Sequence, residues 1–208
     1  RAREPGRSPF TKHLIRLRRM DDEAPKRQVG DTVCEILLKN ANDGSSAYDI
    51  MAGLFRIRCL NSLVAQTGTI EAVKVRHSGD VRTKVIEGTY KVLDQAQKAL
   101  AAPEQWSTIQ LDRGERAAFA EAAHQLRFDG ADATPITAAQ MVMPRRHDDL
   151  GSDLWTVFNV AQENAIRGGL TAIGRDANDR PRRTTTREIK GIDQNVRLNR
   201  ALWTLAER

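Results

Sequence analysis

Alternation of apolar and polar residues is the main pattern in the first third of the chain. In residues 54–61, L-F-R-I-R-C-L-N, apolar side chains occupy every second position, and Arg56 and Arg58 stand between them. Because successive side chains of a strand lie on opposite faces, this stretch predicts a strand with one apolar face and one basic face. We take it as the centre of a sheet.

Further segments of the first half repeat this alternation and predict additional strands. They are residues 11–18, 33–39, 47–51 and 72–77. The run N-A-N-D-G-S-S at 40–46 separates two of them, and its Asp-Gly pair favours a hairpin turn. We expect a bend or bulge at Gly53. We expect the strands to form an antiparallel sheet.

The apolar period changes from two to about 3.6 near residue 80. A stripe of apolar residues then predicts a helix over about 80–101, with Asp80 or Ser78 as its cap and Pro103 after its end. This helix is long enough to cover the apolar face of a small sheet.

The second half of the chain is mainly helical in pattern. Helical segments are predicted at 113–126, 137–142, 152–167 and 188–207, with Ser152 as an N-cap and Gly168-Gly169 as a stop. Residues 174–187 contain almost no apolar side chain and predict an exposed, mobile basic loop. The fold class is therefore α+β: an N-terminal antiparallel sheet covered by a long helix over 1–101, then a helical part over 102–208.

The charge of the chain indicates an acidic partner. The 208 residues include 33 Lys and Arg against 27 Asp and Glu, a formal net charge of +6. The excess lies near the two ends: nine basic and four acidic residues occur in 1–30, and eight and four in 175–200. Nucleic acid, an anionic membrane or an acidic protein would suit this distribution.

The predicted strands offer the first candidate binding surface. If they pair in register, six cations line the face opposite the apolar one: Arg16, Arg18, Arg56, Arg58, Lys74 and Arg76. Guanidinium groups bind phosphate oxygens in pairs, so this face suits nucleic acid. The alternative is an ordinary solvated face, although such a face usually mixes charges of both signs.

The basic loop offers the second candidate surface. Its cations flank the hydroxyls of Thr184, Thr185 and Thr186, which can also donate to phosphate; they are Arg180, Arg182, Arg183, Arg187 and Lys190. The alternative is a solvated, disordered loop. The two interpretations are compatible, because such loops often become ordered only on binding.

Signals for catalysis are weak. Glu188-Ile189-Lys190 matches half of a nuclease metal motif but has no upstream Asp in a clear strand, and residues 147–149, His-Asp-Asp, are adjacent loop residues that rarely bind one ion together. No phosphate-binding or nucleophile motif occurs. We therefore expect no catalytic residue, no metal and no cofactor. We expect Cys34 and Cys59 to be buried free thiols, with a disulfide as the alternative.

Several phrases resemble a family of phage- and plasmid-related bacterial proteins catalogued as a domain of unknown function. They are T-K-H-L-I-R-L-R (11–18), N-A-N-D-G-S-S-A-Y (40–48), F-R-I-R-C-L-N-S-L (55–63), V-R-H-S-G-D-V (75–81), V-I-E-G-T-Y-K-V (85–92) and I-K-G-I-D-Q-N-V-R-L-N-R-A-L-W (189–203). Where that family often shows H-D-G, this chain has Asn42-Asp43-Gly44, which argues against a catalytic His there. The resemblance implies a mobile-element context but supplies no reaction.

Together these observations predict a non-enzymatic DNA-binding protein of a mobile genetic element, with single-stranded DNA favoured. The alternative is an anti-restriction or anti-CRISPR protein that binds a host-defence complex, and a metal-dependent nuclease comes third. No signal-peptide pattern and no membrane-spanning apolar run occur, so we expect a cytoplasmic protein without membrane contact. The chain starts at Arg1 without a Met, and we expect a preceding segment. A homo-oligomer stays open.

Overall fold

Four strands form an antiparallel sheet in the first half of the chain, in the order β1-β2-β3-β4. The strands are β1 (Lys12–Leu17), β2 (Thr32–Ala41), β3 (Tyr48–Arg56) and β4 (Val73–Val75). The computed structural model describes residues 12–17, 32–41, 47–56, 73–76, 78–128 and 134–208. Each of these strands pairs with its neighbour in sequence, and every pair is antiparallel.

Strand β3 corrects the predicted bend at Gly53. The structure joins residues 47–51 and the start of 54–61 into one strand, in which Gly53 pairs with Glu35 without interruption. Without a side chain, glycine fits a regular ladder as well as a bulge, so its presence alone did not decide between them. The turn predicted at 40–46 begins later than expected, because β2 extends to Ala41. Its residues 42–46, and residues 57–61, lie outside the described residues.

Helix α1 (Val81–Thr108) covers the sheet. Asp80 begins it by accepting a hydrogen bond at Oδ1 from the Thr83 amide, 3.1 Å away, and the hydrogen bonds from Thr83 lower the pKa of the Asp80 carboxyl. Gly88 is buried where the helix meets the sheet, and a Cβ there would lie 2.8 Å from Val73 Cγ1 and 2.9 Å from Ile50 Cδ1. The predicted α+β class, with a sheet under a long helix, is confirmed.

The same helix is longer than predicted, because Pro103 lies inside it rather than after its end. A proline removes one backbone hydrogen bond from a helix and usually ends it. Here the following turn carries Trp106, which is only 7% exposed and packs against Trp155, Phe158 and Trp203. Burial of this indole outweighs the local cost of the proline.

Contacts divide the chain into two units, Arg1–Ala102 and Pro103–Arg208. The second unit contains the end of α1 and six further regular segments besides a 3-10 turn at His147–Asp149. These segments are α2 (Arg113–Phe128), α3 (Ala138–Met141), α4 (Leu154–Arg167), β5 (Thr171–Arg175), β6 (Pro181–Thr185) and α5 (Ile192–Ala206). The predicted helices thus all occur, with the last one starting four residues later than predicted.

Helix α4 is the centre of the second unit. All ten of its residues between Thr156 and Arg167 are buried, as are Leu154 and Trp155, so almost no side of the helix faces solvent. Its cap is Asp153, whose Oδ1 accepts from the Thr156 amide at 2.9 Å, and not the predicted Ser152. As predicted, the helix stops at Gly168, which adopts φ 66°. A helix buried all round must satisfy its polar side chains internally.

Two amides on α4 meet that requirement. Gln162 is 1% exposed and its Nε2 donates to Asn199 Oδ1 of α5 at 2.8 Å. The Asn164 amide nitrogen lies within hydrogen-bond distance of three backbone carbonyls, those of Gln140, Met141 and Met143. These bonds fix how α3 and α5 pack on α4, because a shifted helix would leave buried amides unpaired.

Within the described ranges, no helix is both long enough and apolar enough to cross a membrane.

Candidate nucleic-acid interface

A β-hairpin occupies the segment that the sequence predicted as a mobile loop. Strands β5 and β6 pair antiparallel, with Thr171 opposite Thr185, Ile173 opposite Arg183 and Arg175 opposite Pro181. The prediction of an irregular loop at 174–187 is therefore wrong. Its basis was the lack of apolar residues, but a two-stranded ribbon can form without them when its turn and its base are fixed by hydrogen bonds.

The turn of the β5–β6 hairpin is fixed by Asp176. Its Oδ1 accepts hydrogen bonds from the amides of Asn178 and Arg180, both at 2.9 Å, and its own amide donates to the Arg180 carbonyl. Asp179 adopts φ 59°, a conformation that Asp and Asn tolerate better than most residues. An Asp side chain that bonds the backbone two residues ahead is a common turn device.

The hairpin has two different faces. Successive residues of each strand lie on opposite faces, so the register assigns every residue to one of the two faces. The outer face consists of Thr171, Ile173, Arg175, Pro181, Arg183 and Thr185, and the inner face of Ala172, Gly174, Arg182 and Thr184. Gly174 approaches the body of the unit, since a Cβ there would lie 3.1 Å from Pro135. Ile173 on the outer face is 76% exposed.

Arginines dominate the exposed surface of this hairpin. Segment 171–187 holds five arginines and two aspartates. Arg175 forms an exposed ion pair with Asp179, with Nη1 and Oδ2 2.7 Å apart. In the part of the chain that the structure describes, no side chain pairs with the guanidinium groups of Arg180, Arg182 or Arg183. These three cations are available to an external anion.

The base of the hairpin is anchored to the helices. Arg127 of α2 donates from Nη2 to the Arg187 carbonyl at 2.9 Å, and the Ile189 amide donates to the Ile166 carbonyl at 2.8 Å. Burial lowers the pKa of the Arg127 guanidinium. Gln140 adds a bond from Nε2 to the Thr171 carbonyl at 2.9 Å. The base of the hairpin is therefore held by hydrogen bonds to α2, α3 and α4.

Gly168 is the tightest point of this support. It combines φ 66° with ψ −151°, a region that residues with a side chain rarely enter, and a Cβ there would lie 2.6 Å from the Arg187 carbonyl carbon. We expect Gly168→Ala to lower the free energy of unfolding of the second unit by at least about 2 kcal/mol. Urea unfolding followed by tryptophan fluorescence measures this change.

Gly191→Ala is the matched control. Gly191 has φ −72°, and the nearest atom to an added Cβ is Gln194 Cβ at 3.8 Å. The control should change the unfolding free energy by less than about 1 kcal/mol, the usual scale of an N-cap change. Equal effects of the two substitutions would contradict a special role for Gly168.

The strand cations predicted as the first candidate surface do not all lie on one face, as far as the structure describes them. Arg16 on β1, Lys74 on β4 and Arg76 just after β4 are exposed, and Arg56 is the last residue of β3. Arg18 and Arg58 lie outside the described residues. The register places Arg16 opposite Leu37 and Met51, whereas position 56 shares its face with Ile50. The prediction that Arg16, Arg56 and Lys74 share one face is therefore wrong.

The sheet face that carries Arg16 and Lys74 contains charges of both signs and a buried apolar side chain. Leu37 on this face is fully buried. Asp49 pairs with Lys39, with Oδ2 and Nζ 2.8 Å apart, and also stands opposite Lys74 in the register. Charges of both signs and a buried leucine are typical of a structural face, which favours the hairpin over the sheet as the candidate surface.

Three arginines cluster around the C-terminal half of α4: Arg145, Arg146 and Arg167. The sequence did not single them out. Arg146 Nη2 donates to Glu163 Oε1 at 2.5 Å, and Arg167 Nη1 donates to the same oxygen at 2.9 Å. Arg145 donates to Asn164 Oδ1 and to the Gly168 carbonyl, and burial lowers its pKa. Because Glu163 is buried and its charge compensated, this cluster holds the 145–149 segment on α4 rather than exposing free charge.

Among the described residues, the weak catalytic signals do not come together as a metal site. Asp149 is buried and accepts a hydrogen bond from Arg146 Nη1 at 3.4 Å. Glu188 and Lys190 are exposed on either side of the buried Ile189. The described residues contain no group of three or more His, Cys, Asp or Glu side chains able to hold a metal ion.

The hairpin thus brings together Arg180, Arg182 and Arg183 among the predicted site residues, with Arg187 and Lys190 exposed just beyond it. It also adds two residues that the sequence reasoning missed, Ile173 and Arg175. The sequence signal for them was the run T-A-I-G-R at 171–175, which a D-A-N-D turn separates from a second extended segment.

Comparison with known proteins gives the family context. A family model described as "Domain of unknown function (DUF932)" matches residues 1–203. The UPF0380 protein YafZ of Escherichia coli (strain K12) is 43% identical over 207 residues, covering 100% of this chain and 72% of YafZ. The UPF0380 protein YfjQ of the same strain is 42% identical over 207 residues, again covering 100% and 72%. No solved structure matches the chain.

Proposed function

Because the chain belongs to the family of proteins with the domain of unknown function DUF932, whose description states no activity, we propose a function from its own surface. The protein binds DNA, without catalysis, through the β5–β6 hairpin. The observation that carries this proposal is the set of exposed guanidinium groups on a rigid hairpin, Arg180, Arg182 and Arg183, that have no acidic partner among the described residues.

The chemistry of phosphate binding suits this arrangement. A guanidinium group presents two parallel N–H donors to two phosphate oxygens, and each neutralised phosphate releases condensed counterions. The hairpin is held at its base, so its arginines lose less conformational freedom on binding than arginines on a mobile loop would. The exposed hydroxyl of Thr185 adds a neutral donor beside them.

The setting is the second part of the proposal. The segments quoted above resemble phage- and plasmid-related proteins, and we propose that the hairpin acts on the DNA of a mobile genetic element in the bacterial cytoplasm. A protein target in a host-defence complex is the competing hypothesis. It predicts that DNA affinity is absent or unrelated to the hairpin arginines.

A salt series tests the proposal. Labelled single-stranded and double-stranded DNA of equal length are titrated with the protein, and the affinity is measured by fluorescence anisotropy between about 50 and 200 mM salt. With three or four phosphate contacts, we expect the logarithm of the affinity to fall with the logarithm of salt with a slope of roughly −3 to −4.

Either of two results would overturn the proposal. One is the absence of binding to both forms of DNA at the lowest salt concentration. The other is an affinity for DNA that does not change with salt, because phosphate contacts cannot form without releasing counterions. In both cases the protein-binding hypothesis becomes the better one.

A further inference from the structure

Beyond phosphate binding, the shape of the hairpin indicates which form of DNA it fits. Two paired strands lie about 5 Å apart, and five residues per strand extend about 17 Å. The major groove of B-form DNA is about 12 Å wide and admits a two-stranded ribbon, whereas the minor groove is about 6 Å wide. A rigid ribbon therefore matches the major groove of a duplex.

The charges of the turn decide the orientation of the ribbon. Asp176 and Asp179 lie at its tip, and the Asp179 side chain is 79% exposed. Carboxylates placed between two phosphate strands would be repelled, so insertion with the tip first is unfavourable. The arginines lie along the strands, and a face-on approach keeps both aspartates away from the groove floor.

The outer face carries side chains suited to base edges. Ile173 and Arg183 stand opposite each other at its centre, and Ile173 makes an apolar surface that is 76% exposed. In the major groove, apolar side chains contact the methyl group of thymine and arginine pairs with O6 and N7 of guanine. An isolated exposed isoleucine between cations has no evident use in folding, because it contributes little buried area.

Single-stranded DNA is a poorer match for the same surface. Non-specific single-strand binding relies on aromatic side chains on which bases stack. Segment 171–187 contains no aromatic residue. This reverses the preference for single strands that the sequence suggested, which depended on an open basic sheet face.

We propose that the β5–β6 hairpin docks with its outer face in the major groove of duplex DNA, with Ile173 and Arg183 at the base edges. Arg180 in the turn and Arg182 on the inner face are both exposed and do not belong to the outer face, and their long side chains would reach around the ribbon to the flanking phosphates. The proposal rests on the DNA-binding function proposed above. It adds the form of DNA, the groove and the residue at the centre of the contact, Ile173.

Two groove-specific probes test it with the intact protein. The first is a duplex whose cytosines are replaced by glucosylated 5-hydroxymethylcytosine, which fills the major groove. The second is netropsin, which fills the minor groove of an A·T-rich duplex. We expect glucosylation to reduce affinity at least about tenfold and netropsin to leave it unchanged, because base-edge contacts in the major groove are lost only in the first case.

Ile173→Thr tests the central contact, and Ile109→Thr is its control. Threonine retains strand propensity, and Ile109 is another isoleucine of the second unit that is 45% exposed. We expect Ile173→Thr to lower duplex affinity several-fold without changing its salt slope, because no charge is removed. Ile109→Thr should bind like the unchanged protein.

The outcomes distinguish this inference from the function beneath it. If netropsin blocks the salt-dependent binding, the major-groove inference is overturned and DNA binding stands. The same holds if glucosylation leaves the affinity unchanged or if Ile173→Thr does not alter it. Tighter binding to single strands than to duplex would overturn it as well. Loss of binding to every DNA probe would instead refute the proposed function itself.

Discussion

Replacing both Arg182 and Arg183 with glutamate is expected to weaken DNA binding at least about 100-fold near physiological salt. The two side chains are exposed on adjacent positions of β6 and have no acidic partner in the part of the chain described by the structure. The change removes one phosphate contact, that of Arg182, and one base-edge contact, that of Arg183, and it adds two repulsive charges. Anisotropy titrations with labelled duplex measure the loss, and far-ultraviolet circular dichroism checks that the fold is retained.

The milder Arg182→Ala and Arg183→Ala double variant gives a quantitative version of this result. Each lost phosphate contact should reduce the magnitude of the salt slope by about 0.9, so the double variant, which loses the phosphate contact of Arg182, should reduce it by about one. A large loss of affinity with an unchanged slope would mean that Arg182 does not contact a phosphate.

Arg113→Glu with Arg197→Glu is the matched control for the charge reversal. Both arginines are exposed in the second unit, at the start of α2 and on α5, and the control changes the net charge by the same amount. If binding depended only on overall charge, this control would match the hairpin variant. We expect it to retain most of the affinity, because contacts and not the net charge carry the binding.

Trp203→Ala should have the largest effect on stability, lowering the free energy of unfolding of the second unit by about 3–5 kcal/mol. Trp203 is 0% exposed, and its ring centroid lies 4.5 Å from that of Trp106 and 5.6 Å from that of Phe158. Its Nε1 donates to Glu207 Oε1 at 2.9 Å. Removal of the indole leaves a cavity among rings that cannot close around it.

Tryptophan fluorescence suits this measurement, because all three tryptophans of the chain lie in the second unit. The expected result is a shift of the urea midpoint to lower concentration. Leu150→Ala is the control: Leu150 is 59% exposed, and its truncation should change stability by no more than about 0.5 kcal/mol. A loss below about 1 kcal/mol for Trp203→Ala would contradict the packing described for this ring cluster.

The positions of the helices were predictable because their signals are local. The stop of α4 at Gly168 needs only a glycine with positive φ, and the 3.6-residue period of α1 needs only its own apolar stripe. The end of α1 was not predictable in the same way. Whether the helix passes Pro103 depends on Trp106, and that ring is buried by residues more than forty positions away.

The faces of the sheet show the limit of local patterns most clearly. The alternation around Arg56 is real, but β3 pairs with β2 so that position 55 falls on the face of Arg16 and Lys74. A register is set by pairing between strands, and a shift by one residue exchanges the two faces. Leu37 and Ile50 are both buried, although they lie on opposite faces, so neither face could be assigned from apolar content alone.

The sequence by itself determined the α+β class, the succession of strands before helices and the excess of arginine near residues 175–190, because each depends on neighbouring residues or on composition. Only the tertiary structure decided that this basic segment is a hairpin with Ile173 and Arg183 paired on an exposed face. Its base is held by Arg127, Gln140 and Ile166, which are distant along the chain. Contacts between distant residues have no local signature, and here they turn a run of charges into a shaped surface.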